Sequence, residues 1–186
     1  MRHLAVLLPL AFSATAPLAA AEPVAVPAFN SVELRGGGKV VVRPGPASVT
    51  LLKGRTAFTR FRVDANGQLK IDACNSSCPR NYDLNIEIRY PRVLPMAIKG
   101  GGEISAAAGF GPQHELAAGV SGGGTIDLRS VRAETVAAGV NGGGTIIVGA
   151  SNSLAAAVNG GGEVLYSGNP QVTTAIRGGG TVERSE

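Results

Sequence analysis

An all-β, single-domain, right-handed parallel β-helix with tri-glycine corners is the fold this sequence predicts, and three observations predict it. Tri-glycines recur at Gly36–Gly38, Gly100–Gly102, Gly122–Gly124, Gly142–Gly144, Gly160–Gly162 and Gly178–Gly180. Apolar residues alternate with small or polar ones on both sides of the late repeats, which is the period of a strand with one face inward. Large rings are scarce, with 4% aromatic residues and no Trp. A core built from Val, Ile, Leu and Ala suits many thin repeated layers better than one thick globular interior.

The repeat fixes the phase of each strand. The last five tri-glycines start at intervals of 22, 20, 18 and 18 residues, whereas the first and second are 64 apart. At about 21 residues per coil that gap would hold three coils. Aligned on the glycines, the columns before them read Leu94, Leu116, Val136, Leu154, Val172; then Met96, Ala118, Ala138, Ala156, Thr174; then Ile98, Val120, Val140, Val158, Ile176. After the glycines come Ile104, Ile126, Ile146, Val164, Val182, and then Ala106, Leu128, Val148, Tyr166, Arg184. A helical solenoid is excluded, because each interior glycine costs roughly 1 kcal/mol relative to Ala. An antiparallel sandwich would not repeat one inward column in one chain direction. Parallel stacking does, and crossovers between parallel strands are nearly always right-handed. The glycines themselves read as steric, since a sharp corner needs positive φ and stacked corners leave little room for Cβ atoms. A bare groove for close approach of a ligand is the alternative.

From the N-terminus, Met1-Arg2-His3, an apolar run from Leu4 to Phe12 and an Ala19-Ala20-Ala21 exit have the form of a secretory signal peptide over residues 1–21. The run is too short to span a membrane, which takes about 20 apolar residues. Residues 22–28 read as a linker and 29–186 as the β-helix. Without the leader, the 17 basic residues become 16 against 13 acidic, a mild excess. Nucleic-acid binding would need a clustered basic face with aromatics, which is not visible.

Cys74 and Cys78 are the only cysteines. In an oxidising compartment such a close pair, with Asn-Ser-Ser between, forms a local disulfide. A metal site is the alternative and would need two further ligands, yet His114 is the one histidine after the leader.

Phe29-Asn-Ser-Val-Glu-Leu, Asn66-Gly67-Gln-Leu-Lys-Ile, Ile86-Glu-Ile-Arg-Tyr-Pro91 and the Val/Ile-x-Gly-Gly-Gly coils together resemble the head GIN domain of autotransporter adhesins, over residues 29 to 186. The resemblance implies an exported bacterial parallel β-helix and lends no catalytic residue. The stretch after the last tri-glycine, ending Arg184-Ser185-Glu186, carries no translocator barrel. The expected location is therefore periplasmic, with secretion or cell-surface display as the alternative.

Other chemistry is poorly served. Gly36-Gly-Gly-Lys39 lacks the glycine and the Ser/Thr of a phosphate-binding loop, having Glu33 and Val40 there. The residue after each late tri-glycine is Glu103, Thr125, Thr145, Glu163 or Thr181, so no acidic ladder for calcium forms. Outward Glu103, Asp127, Glu163 and Glu183 are separated by Thr145 and apolar neighbours, and His114 reads as a solvated loop residue. No catalytic, cofactor or metal residues are expected, although a β-helical polysaccharide lyase or hydrolase is the rival reading.

The outward positions before the glycines are unusual. Ala97, Ala117, Gly119, Ala137, Gly139, Ala155, Ala157, Thr173 and Ala175 stand where a solvated sheet ordinarily carries long polar side chains. They are the candidate interaction face, with Ile147 and Leu165 at its margin, unless an N-terminal segment covers them. Expected partners are another copy of the chain, or an envelope protein or glycan. At the C-terminal coil Arg177, Glu183, Arg184 and Glu186 read as edge protection, with ligand binding as the alternative. The function expected is that of a non-enzymatic exported envelope protein with a rigid surface for adhesion-like binding or assembly.

Overall fold

Alternating aliphatic residues between glycine turns make strands throughout, and no helix is present among the described residues. A computed structural model describes residues 21–75 and 77–185. The expected signal peptide, but for Ala21, lies outside them, as does Glu186. The N-terminal part forms β1 (Glu22–Pro23), β2 (Ser31–Gly36), β3 (Lys39–Pro44), β4 (Ser48–Lys53), β5 (Arg60–Val63), β6 (Gln68–Asp72) and β7 (Asn85–Tyr90). The repeats form β8 (Met96–Gly100), β9 (Glu103–Ala106), β10 (Gln113–Gly122), β11 (Thr125–Gly142), β12 (Thr145–Gly160), β13 (Glu163–Ser167), β14 (Gln171–Arg177) and β15 (Thr181–Arg184).

Stacking is parallel and in register, so the chain is a β-solenoid. Before the glycines, Ile98 pairs with Val120, Val120 with Val140, Val140 with Val158 and Val158 with Ile176. After them, Ile104, Ile126, Ile146, Val164 and Val182 form the matching column. These are the columns read from the sequence. In β11 the in-out alternation restarts at Arg129-Ser130 and again at Glu134-Thr135, where two neighbouring residues are both exposed. Two such corners and the glycine corner give the coil three sides, with Ile126, Leu128, Val131, Ala133, Val136, Ala138 and Val140 all buried inside.

The 64-residue gap is organised differently from the three coils expected. It holds one coil, β6–β7, which stacks on the far side of β2–β3: Leu34 pairs with Ile71 on one side and with Ile98 on the other. Chain order and stacking order therefore differ. The remaining residues close this end with antiparallel strands: β4 on β7, β1 on β4 and β5 on β6. Residues 22–28, expected as a linker, are docked here, with the Val24 amide donating to the Val49 carbonyl at 2.9 Å.

The β6–β7 coil has no tri-glycine. Its corner, described at residues 73–75 and 77–84, meets Gly36–Gly38 at its two ends, with the Ala73 amide donating to Arg35 and the Lys39 amide donating to Leu84. Cys74 and Cys78 are joined there by a disulfide, with Cα atoms 6.0 Å apart. Tyr82 pins the same corner: its hydroxyl lies 2.7 Å from Thr59 Oγ1, and its ring meets Phe58 edge-on.

Glycine is needed at only part of each corner. A Cβ on Gly142 or Gly160 would fall 2.6 Å from the carbonyl oxygen of the layer below, and φ there is above +120°. The third glycines, such as Gly144 and Gly162, would strike a valine methyl and a carbonyl. Around the middle glycines Gly123, Gly143, Gly161 and Gly179 a Cβ would meet nothing, so layer stacking does not require them.

Candidate functional site

The nine predicted face residues come together on one side of the solenoid, in two adjacent outward columns. One runs Ala117, Ala137, Ala155, Thr173, and the other Ala97, Gly119, Gly139, Ala157, Ala175, each in lateral register. Their neighbours in sequence point inward and fill the core, so alternation alone puts these Cβ atoms outside. With layers about 4.8 Å apart, the second column is about 19 Å long. It lines a shallow groove of roughly 570 Å³ that Pro95, Ser31 and Gln68 extend toward the capped end. No described segment of the chain covers it; residues 23–29 instead lie against Ala47–Thr50 and Tyr90. Ile147 and Leu165 are half-buried and sit on the next side, in the column of Asp127 and Glu183.

A third column, two residues further on, was not picked out from the sequence. It reads Asp72, Arg35, Lys99, Ser121, Asn141, Asn159, Arg177. Its residues share the outward phase of the small ones, which is the signal that could have found it. The small-residue strip is thus edged by hydroxyl and amide groups between two cations, forming a second groove beside the first.

Toward the cap the face becomes charged. Glu33 stands in register with Ala97 and Lys70, and its side chain is only 5% exposed. Arg35 Nε donates to Oε1, and Lys99 Nζ lies 3.2 Å from Oε2. Burial pushes the Glu33 carboxyl up, but the hydrogen bonds and charges of Arg35 and Lys99 outweigh it and hold the group below its ordinary 4.5. Asp72 joins through Arg35 at 3.9 Å and Arg62 at 3.6 Å.

Two of the outward acids considered for catalysis are engaged in ion pairs. Glu103 is held by Lys39 at 3.0 Å, and Asp127 by Arg129 at 2.9 Å. His114 lies on β10 instead of a loop, 92% exposed beside Glu134. A flat surface that, Thr173 apart, carries no side chain beyond Cβ offers close van der Waals approach to backbone, with hydrogen-bonding groups along one margin. Such an arrangement can bind a flat partner.

The fold and this face define a class: a β-solenoid with a side-chain-poor outer surface. Residues 106–170 match the model of the family described as "Putative auto-transporter adhesin, head GIN domain", the family that the sequence resembles. No curated protein matches. Among solved structures, a "putative adhesin" from Bacteroides fragilis is 20% identical, covering 89% of this chain and 96% of its own, at a TM-score of 0.54. A "putative adhesin" from Parabacteroides merdae is 12% identical over 90% and 96%, with a TM-score of 0.40. A "putative cell adhesion protein" from Clostridium sporogenes is 14% identical over 89% and 96%, also at 0.40. Among the described residues no helix is long and apolar enough to cross a membrane.

Proposed function

We propose that the chain is a non-enzymatic, exported envelope protein whose rigid solenoid presents the Ala/Gly face for adhesion-like binding. The carrying observation is the in-register column Ala97, Gly119, Gly139, Ala157, Ala175, uncovered by any described residue. A small-residue sheet face offers no charge, but it loses almost no side-chain entropy when covered and lets a flat partner reach the backbone over several layers. The adhesin name of the matched family supports the same reading, and the leader-like start supports export to the periplasm or beyond. The separate ion pairs of Glu103 with Lys39 and Asp127 with Arg129 favour binding over glycan cleavage.

The chain, expressed with its own leader and purified, is tested for retention on envelope fragments of the exporting cell. Ala137→Lys and Ala155→Lys place long cations in the strip while pointing away from the core. A tenfold or greater loss of retention is expected. Undiminished retention would contradict the assignment of this face.

A further inference from the structure

The two ends of the solenoid are not alike. The β6–β7 end is closed by antiparallel β1, β4 and β5, whereas among the described residues β14 pairs only with β12, and β15 only with β13. The apolar columns run out at this second end: Val172 is 38% and Ile176 45% exposed, where Leu154 and Val158 directly beneath are buried. Glu186 apart, the charges expected to protect this edge do lie on its two open strands, but they leave most of β14 uncharged. Glu183 and Arg184 lie on β15, and Arg177 only at the end of β14, so Gln171-Val-Thr-Thr-Ala-Ile176 is an uncharged edge with no proline. Edges of that kind recruit another strand.

We propose that β14 pairs antiparallel with β14 of a second copy, about a two-fold axis at Thr174, to give an end-to-end dimer. The register is self-complementary. With Thr174 opposite itself, Val172 faces Ile176 of the other copy and Ile176 faces Val172, so both exposed apolar side chains gain a partner on the inward side. Outward, Thr173 faces Ala175. One capped end and one open end limit growth to a closed pair, since a head-to-tail fibre would need both ends open. The sheet then continues from one copy into the other and doubles the length of the Ala/Gly strip, which would raise avidity for a repetitive partner. The dimer stands whether or not the strip binds anything.

Light scattering on the purified chain is expected to give twice the monomer mass, and Ile176→Lys to return it to the monomer. Thr174→Cys supplies a thiol at the axis, where directly opposed positions come close enough to bridge under mild oxidation. A covalent dimer is expected from Thr174→Cys and none from Ala137→Cys. A monomeric parent chain would overturn the proposal. So would crosslinking through Ala137→Cys in place of Thr174→Cys, which would mean face-to-face pairing.

Discussion

The carbonyl oxygen of Gly122 lies directly beneath Gly142: it accepts the next amide, that of Gly143, at 3.0 Å, and a Cβ on Gly142 would sit 2.6 Å from it. One hydrogen bond thus holds two layers at a distance that only a side-chain-free residue permits. Gly142→Ala should combine left-handed backbone strain of about 1–2 kcal/mol with a backbone clash that cannot relax locally. Gly143→Ala, at an open position with negative φ, should stay within about 0.5 kcal/mol of the parent. Urea unfolding of the two variants checks the contrast, and equal losses would mean that the corner is not stacked in this way.

Coil β6–β7 belongs to the core as fully as the repeats do. Leu69 on β6 and Leu128 on β11 are both completely buried. Each Leu→Ala change should cost about 2–5 kcal/mol. A markedly smaller cost at Leu69, measured by the same denaturation, would place this coil outside the stack.

Acid should weaken the capped end through Glu33. Its folded-state carboxyl titrates below 4.5, so the ionised form contributes stability that is present above the unfolded value and is lost as pH falls through the folded one. Asp64, held down by Lys70, adds to the same acid limb. Glu33→Gln should lose about 1–3 kcal/mol at pH 7. Its deficit should shrink as pH falls through the parent's folded-state value, because the parent then loses the same interaction. A deficit independent of pH would contradict the role of the Arg35 and Lys99 contacts.

Reducing Cys74–Cys78 should do little globally. The bridge spans a sequence separation of 4, and closing so short a loop is worth about 2 kcal/mol at most in the chain-entropy model. The β-sheet circular dichroism should persist in reductant, with a modest fall in melting temperature. Loss of the whole sheet signal would show that the corner nucleates the solenoid.

The sequence made the repeats legible because each tri-glycine pins the phase of its flanking strands. The spacing from the glycines alone assigns Val120 and Val140 to one inward column, and Gly119 and Gly139 to the outward one beside it. The 64-residue interval was not legible in the same way. Ser48–Lys53 alternates as a parallel strand does, and period two says nothing about direction or about which layer a strand joins. Stacking β6–β7 beyond β2–β3 is what brings Glu33 between Lys70 and Ala97. Its pairing with Lys99 follows from the same long-range order, which no local pattern encodes. The dispensable middle glycines show the opposite limit: a repeated residue looks uniformly structural in sequence, while the packing demands it at two positions of three.

The stacking order is tested most directly by cross-strand backbone proton contacts measured by NMR. Layers in the order found here should link Gly100 to both Gly36 and Gly122, with the parallel pattern that lacks close Hα–Hα pairs between those strands. Close Hα–Hα pairs across Val120 and Val140, or contacts of Gly100 with Gly122 but none with Gly36, would contradict it.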